Sequence, residues 1–296
     1  MKTILVPTDF SKNAENALHY AINLAKKTDA KIILLHSFHI DYTNAYVPED
    51  IIQKELEEAK TKSNAHLKAL YHKVSHGSKH PIECISSENF AVDEILSLVE
   101  EKNIDLIIMG TRGANGQLGR ELFGTNSSKV VEKATCPVIT VPEESTRNNI
   151  KSIVYATEYL DSDIICLQSL VDLANLLEAK IQVVHVSLYQ NNIDEEKERM
   201  KLFEAKVCEN INCQNISFKL LFGTNIEQRL EGYLEEEKEV DLLVASAHHR
   251  NLLDKLLGQS VSKMLSLYVK TSLMVFHHKR NVTDDVTDTA VRKLIL

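Results

Sequence analysis

An internal repeat constrains the fold of this chain more than any other feature of its sequence. Four segments of the N-terminal half recur in the same order in the C-terminal half: Thr3–Asp9 as Ser152–Glu158, Ala30–His36 as Ala179–His185, Asp105–Ile108 as Asp241–Val244, and Cys136–Val141 as Thr271–Phe276. A period of this length predicts two sequential copies of one structural unit. We therefore expect a first domain at 1–143, a second at 150–278 and a C-terminal tail at 279–296.

Each copy alternates short apolar runs with segments of helical periodicity. In the first copy, for example, the apolar run Ile4–Val6 precedes a helical pattern from Ala14 to Ala25, and a second apolar run begins at Lys31. This alternation predicts right-handed βαβ units and a parallel sheet covered by helices on both faces. A fifth strand at the edge of each sheet would leave unpaired backbone groups. We expect the two edges to cover each other, which forms a pseudo-dimer within one chain.

Composition and charge exclude several classes of function. The net charge of −8 argues against nucleic acid as the main partner, because such proteins need a basic surface. No apolar run reaches the length needed to span a membrane, and Met1 leads into a strand-like run with no signal-peptide pattern. We expect a cytoplasmic protein that is not associated with membranes. The five cysteines are odd in number and widely spaced, so we expect reduced thiols packed as small apolar residues.

The stretch 105–141 has the pattern of a phosphate-binding segment. An apolar run ends at Gly110, a glycine-rich loop follows, and Gly124 to Ser127 opens a segment with helical spacing. Glycine lets the backbone approach an anion closely, and the free N–H groups of a helix's first turn face such an anion. A flexible connector is the alternative interpretation of the glycines. The adjacent histidine pairs, 248–249 and 277–278, do not predict a metal site, because neighbours on a strand point to opposite faces.

Several of these motifs together resemble the universal stress protein family, and the whole chain resembles its tandem, two-domain members. The motifs are ILVPTDFS at 4–11, LLHSF at 34–38, IIMGTRG at 107–113 and GTNSSKVVEKATCPVITVP at 124–142. The resemblance implies an α/β fold with two tandem copies of a five-stranded, parallel-sheet, Rossmann-like domain. It also implies a stress-response protein, with a homo-oligomer or a protein partner left open.

The ATP-binding members of the family share a Gly-x-x-Gly, nine residues, Gly-Ser/Thr pattern. Here Gly110–Gly113 supplies the first part and Gly124–Thr125 the last, with ten residues in the gap. The resemblance implies that ATP, usually accompanied by magnesium, binds at the carboxyl ends of the strands. The candidate binding residues are Pro7, Thr8, Asp9, Ser37, Met109, Gly110, Arg112, Gly113, Gly124, Thr125, Asn126 and Ser127.

Within this set the resemblance implies separate roles. Asp9 would accept hydrogen bonds from the ribose or the adenine edge, and an alternative role for its carboxylate is to cap the following helix. Ser37, after the second strand, would line the adenine slot, and Met109 would pack on the base. The glycines would admit the phosphates, and Arg112 would either neutralise phosphate charge or remain solvated.

The second copy departs from this pattern. Glu158 replaces Asp9, and Ser246 and His249 stand where Gly110 and Gly113 stood. We expect no ATP there and a structural or regulatory role instead.

No enzymatic motif accompanies the candidate site. The loop is not a P-loop, and the first strand is not followed by G-x-G-x-x-G or by a pyrophosphate loop of the adenylyl-transferase type. The sequence also lacks a nucleophile elbow. At most we expect slow ATP hydrolysis. The alternative to a nucleotide-binding stress protein is an ATP-independent scaffold whose copies pair with each other or with other proteins.

Overall fold

The structure is a computed structural model, which describes residues 1–40, 48–75, 81–111, 125–143, 145, 149–188, 192–237, 239–246 and 271–277. The first half contains β1 (Thr3–Pro7), α1 (Lys12–Thr28), β2 (Lys31–Phe38), α2 (Glu49–Ser75), β3 (Ile82–Glu88), α3 (Ala91–Glu101), β4 (Leu106–Gly110), α4 (Thr125–Lys133) and β5 (Val138–Val141). The second half contains β6 (Ser152–Ala156), α5 (Asp161–Leu177), β7 (Lys180–Ser187), α6 (Ile193–Asn210), β8 (Ile216–Phe222), α7 (Ile226–Glu236), β9 (Leu242–Ser246) and β10 (Ser272–Phe276).

All these strands form one continuous ten-stranded sheet in the order β3-β2-β1-β4-β5-β10-β9-β6-β7-β8. Pairing is parallel within each half and antiparallel between β5 and β10, where Met274 lies opposite Ile139. The expected pairing of the two sheet edges is thereby confirmed, and the predicted fold class with it. The antiparallel contact relates the halves approximately by a two-fold axis, as in a dimer of identical subunits.

Burial on both faces of the sheet explains the composition of the strands. Residues alternate along β1, so that Ile4 and Val6 pack with α1 and α2, whereas Leu5 faces α3 and α4. Parallel sheets covered on both sides need such nearly continuous aliphatic runs. The corresponding strands of the second half pack in the same way, with α5 and α6 on one face and α7 on the other.

Two expectations from the sequence need correction. Ser37 was expected to follow the second strand, but β2 continues to Phe38, so Ser37 lies inside the strand. Reduced thiols were expected throughout, but Cys208 and Cys213 are joined by a disulfide with their Cα atoms 5.5 Å apart. The disulfide links the end of α6 to the loop before β8. Cys136 and Cys166 take part in no disulfide and are buried, as expected for small apolar residues, whereas Cys84 is exposed.

In the part of the chain that the structure describes, no helix is both long and apolar enough to cross a membrane.

Candidate functional site

The predicted site lies at the carboxyl ends of three neighbouring strands of the first half. Pro7 ends β1, Ser37 is the penultimate residue of β2, and Met109 and Gly110 end β4. Because β1 lies between β2 and β4, these residues lie together at the carboxyl ends of the strands. We call this end of the sheet its carboxyl edge. Three further predicted residues, Arg112, Gly113 and Gly124, fall outside the described residues, and Thr125 begins α4.

The turn between β1 and α1 is held by its own polar groups. The Thr8 N–H donates to the Leu35 carbonyl at 2.8 Å, and Thr8 Oγ1 accepts from the Phe10 N–H at 3.1 Å. Phe10 adopts a positive φ of 63°. One Asp9 carboxylate oxygen accepts from the Ser11 N–H at 3.0 Å, while the side chain stays exposed. Asp9 therefore supports the start of α1, the alternative role expected from the sequence, and still presents a carboxylate at the sheet edge.

Two buried polar atoms at this edge have no hydrogen-bond partner among the residues that the structure describes. They are Ser37 Oγ and Asn13 Oδ1. Asn13 lies on the first turn of α1 and is 6% exposed. An unsatisfied buried polar group costs about 1–3 kcal/mol. A ligand that supplied hydrogen bonds to these atoms would recover that cost, which makes them markers of a polar binding site.

Gly110 has a packing role that the sequence did not indicate. A Cβ atom at Gly110 would lie 3.0 Å from both the backbone carbon and the Cβ of Asn13. Glycine at the end of β4 thus allows α1 to pack directly against the strand. This packing role is independent of any contact between Gly110 and a ligand. This contact also positions Asn13 beside the end of β4.

The N-terminus of α4 is anchored to the same edge. Ser127 Oγ donates to the Thr111 carbonyl at 2.8 Å, and both side chains are buried. Asn126, one residue earlier, is exposed. The first turn of a helix leaves backbone N–H groups without intrahelical partners. The Ser127 hydrogen bond therefore fixes a set of potential anion donors next to the end of β4.

The equivalent edge of the second half is closed by one carboxylate. Asp163, in the first turn of α5, is 0% exposed and occupies the position that Ala14 takes in α1. It accepts hydrogen bonds from Tyr155 Oη at 2.8 Å, Thr157 Oγ1 at 2.6 Å, and the N–H groups of Glu158 and Leu160, both at 3.2 Å. Burial and the Asp163 charge raise the pKa of Tyr155 well above its usual range, so this phenol keeps its proton.

Comparisons with known proteins support the assignment that the motifs suggested. Residues 1–142 match the profile of the Universal stress protein family. Universal stress protein MJ0531 of Methanocaldococcus jannaschii is 32% identical over 143 residues, covering 47% of this chain and 81% of the relative. The chain belongs to the universal stress protein family. Universal stress protein YxiE of Bacillus subtilis is 32% identical over 147 residues and is covered to 97%.

A solved structure extends the likeness to both halves. A universal stress protein from Archaeoglobus fulgidus has a TM-score of 0.67 and 17% identity, covering 94% of this chain and 98% of that one. At this identity the match supports the fold alone. It shows that this fold occurs in a universal stress protein over nearly the whole of both chains.

In this universal stress protein, an aromatic–histidine pair supports the β1–α1 turn of the first half and another supports the β6–α5 turn of the second. The rings of Phe10 and His36 lie 4.4 Å apart in the first half, and those of Tyr159 and His185 lie 4.2 Å apart in the second. Tyr159 has the same positive φ as Phe10, at 65°. The two histidines therefore have equivalent packing roles in the two halves.

The groups behind the two histidines differ in charge. His36 Nδ1 lies 2.8 Å from Ser63 Oγ on α2. His185 Nδ1 lies 2.7 Å from the Thr157 carbonyl, and its Nε2 lies 3.7 Å from the buried carboxylate of Glu196 on α6. Burial lowers the pKa of both histidines, whereas Asp9 acts in the opposite direction on His36, and the Thr157 carbonyl and Glu196 do so on His185. The second helix of each half thus presents a neutral serine to His36 and a carboxylate to His185.

Sequence reasoning missed Asn13, Asp163 and Glu196. Asp163 could have been noticed, because an acidic residue stands where the aligned repeat has Ala14 and directly before the apolar run 164–167. Asn13 gives no such signal, since polar residues are common in the first turn of a helix. In the described part of the chain, no three His, Cys, Asp or Glu side chains come together in a way that would hold a metal ion.

Proposed function

We propose that the first half of this universal stress protein binds ATP, with magnesium, at the carboxyl ends of β1, β2 and β4, as part of a stress response. The observation that carries the proposal is the pair of buried atoms at this edge, Ser37 Oγ and Asn13 Oδ1, which have no hydrogen-bond partner in the described structure. A nucleoside offers both donors and acceptors to such groups. The edge is also the one at which open α/β sheets bind nucleotides.

The exposed carboxylate of Asp9 suits the ribose. It is an acceptor-only group, and a ribose supplies hydroxyl donors. Ser37 lies one strand away from Asp9 in β2 and would face the base, which would pack on Met109. The free oxygens of a phosphate would be bound at the start of α4, where Asn126 is exposed. The family resemblance adds Arg112, Gly113, Gly124 and Thr125 to this phosphate region.

The second half has a structural or regulatory role in this proposal. Its equivalent edge differs at both marker positions, because Val186 replaces Ser37 and Ser162 replaces Asn13. In addition, the Asp163 network takes up polar groups of the β6–α5 turn. A ligand would have to displace that network before it could bind. The alternative function, an ATP-independent scaffold, is supported by the β5–β10 contact, in which the two halves pair directly through their strands.

Two measurements on the full chain test the proposal. Freshly purified protein is denatured and the released small molecules are identified by mass spectrometry; ATP binding is then measured by calorimetry with and without magnesium. We expect released adenine nucleotide or a measurable heat of ATP binding. Ser37→Val, which copies the second half, should weaken ATP binding about fivefold, because one hydrogen bond is worth about 1 kcal/mol. Gly113→Val should abolish binding, since a side chain there would take the space of a phosphate.

The matched control is Val186→Thr, the isosteric polar change at the equivalent position of the second half. It should leave ATP binding unchanged. A protein that releases no nucleotide and gives no heat with ATP would be the ATP-independent scaffold instead. Full ATP affinity in Gly113→Val would show that the phosphates bind elsewhere.

A further inference from the structure

A cavity of about 270 Å³ lies between α1 and α2, beside the β1–α1 turn. It is lined by Phe10, Glu15, His66, Ala69, Leu70 and Lys73. None of these residues belongs to the ATP site proposed above. The cavity opens to solvent at Lys73, whose side chain is 62% exposed. Its ligand is therefore a separate question from the nucleotide.

The second half has a buried aromatic side chain at the position that corresponds to this cavity. Ser63 of α2 and Glu196 of α6 take corresponding positions, because each approaches the equivalent histidine of its half. Leu70 and Phe203 each follow seven residues later, so they also correspond. In the second half, the Phe203 ring lies 5.1 Å from the Tyr159 ring and is 5% exposed. A buried phenyl ring thus packs against the aromatic residue of the turn where the first half has Leu70.

Two further positions around the cavity differ between the halves. Ala69 corresponds to Leu202, which is 66% exposed, and Glu15 corresponds to Ile164 of α5. Ile164 packs against the core of the second half, whereas Glu15 forms an ion pair with Lys73 at 2.5 Å. The first half therefore lacks the phenyl ring that the second half packs against its aromatic turn residue. The cavity lies beside Leu70, at the position of that ring.

The walls of the cavity favour an aromatic occupant. The rings of Phe10 and His66 lie 5.1 Å apart in an edge-to-face arrangement, and Leu70 adds an aliphatic surface. Aromatic pairs prefer offset or edge-to-face contacts at such separations. An apolar cavity of about 150 Å³ takes up benzene, so the volume found here suffices for one or two rings. The Glu15–Lys73 pair at the rim supplies one acceptor and one donor for a polar substituent.

We propose that this cavity is a second ligand site, which binds a small aromatic molecule of one or two rings with a polar substituent at the Glu15–Lys73 pair. Its aromatic wall, Phe10, directly follows Asp9 in the β1–α1 turn. An occupant would therefore contact the turn that supports the nucleotide edge. The proposal stands on the cavity and its filled counterpart, and it holds whether or not ATP binds.

Indole is a suitable probe, because it has two rings and one N–H donor. Saturation-transfer NMR on the full chain, followed by titration, should show indole binding to the wild-type protein. Leu70→Phe, which copies the second half, should weaken binding at least tenfold because the new ring fills the cavity. The reciprocal change, Phe203→Leu, should raise the number of indole molecules bound per chain by opening the equivalent space.

Ala69→Leu provides a second test that does not depend on the fold tolerating Leu70→Phe. Ala69 is exposed at the rim, and this change also copies the second half. It should weaken indole binding as well. Leu202→Ala, on the exposed surface of α6, is the matched control and should leave the wild-type site unchanged. No saturation transfer to indole in the wild type, or the same affinity in Leu70→Phe and wild type, would overturn the proposal.

Discussion

The carboxyl edges of the two halves share a backbone but use their polar groups differently. In both halves a threonine accepts a hydrogen bond from the N–H of a residue with positive φ, Phe10 in one and Tyr159 in the other. The first half leaves Ser37 Oγ and Asn13 Oδ1 buried without partners in the described structure. The second half gathers polar groups of its β6–α5 turn on Asp163, although Tyr159 Oη and Glu196 Oε2 are also buried without hydrogen-bond partners among the described residues.

This difference agrees with the proposed division of the chain into a nucleotide-binding half and a supporting half. A carboxylate buried in the turn satisfies the local donors and rigidifies the edge, since a fully satisfied buried network is stable and specific. An edge without it keeps hydrogen-bonding capacity for a ligand at some cost in stability. The two halves also differ between the first two helices of each half. Phe203 packs against the aromatic turn residue in the second half, whereas a cavity lies beside Leu70 in the first.

The largest effect is expected from Asp163→Ala. Removing this carboxylate leaves the hydroxyls of Tyr155 and Thr157 and two backbone N–H groups without their acceptor. Buried donors that lose a partner cost about 1–3 kcal/mol each, so we expect a loss of about 3 kcal/mol or more in the free energy of unfolding. Urea denaturation followed by circular dichroism measures it. ATP binding by the first half should persist wherever the protein remains folded.

Asp163→Asn sharpens this test, because the amide retains one acceptor oxygen in the same shape. It should cost less than Asp163→Ala. Equal losses in the two variants, or no loss in either, would show that the carboxylate network does not close the second edge.

An intermediate effect is expected from Gly110→Ala. Its new Cβ would lie 3.0 Å from the Asn13 backbone, so α1 would have to shift. Overpacking of this kind costs about 1–3 kcal/mol. The matched control is Gly232→Ala in α7, where the nearest atom to the new Cβ is the end of the Arg229 side chain at 3.7 Å. That change should stabilise the protein by about 0.4–1 kcal/mol.

Urea denaturation of both glycine variants compares the two effects directly. If Gly110→Ala proves as stable as the wild type, close packing of α1 on β4 does not explain the glycine. In that case, ligand binding would have to explain why the first half has glycine where the second half has Ser246.

The smallest effect is expected at the helix starts. Ser11 Oγ accepts from the Ala14 N–H at 3.2 Å and caps α1, whereas Leu160 at the start of α5 provides no side-chain cap. Ser11→Ala should cost about 1 kcal/mol. Leu160→Ser should gain a few tenths of a kcal/mol, because the Asp163 N–H, which a serine would cap, is already bonded to the Leu160 carbonyl. Thermal unfolding by calorimetry measures both changes. A larger loss from Ser11→Ala than from Gly110→Ala would reverse the proposed order of contributions.

Much of the fold could be predicted from the sequence. The repeat and the alternation of apolar runs with helical patterns are local signals, and they predicted two α/β units with the site residues at strand ends. Pro7, Met109 and Gly110 lie at those ends as expected. The end of β2 was misplaced, because the polar residues His36 and Ser37 looked like a loop. Pairing with β3 as far as Phe38 keeps them in the strand.

The sequence by itself determined the secondary structure, the repeat and the family, because these depend on periodicity and on motifs within short segments. The tertiary structure decided which polar groups meet. Asn13 lies beside Gly110, far along the chain, because α1 packs on β4. Asp163 gathers donors from β6 and from the following turn because the first turn of α5 is buried there. Such contacts depend on how elements pack in three dimensions, and no local pattern in the chain encodes that packing.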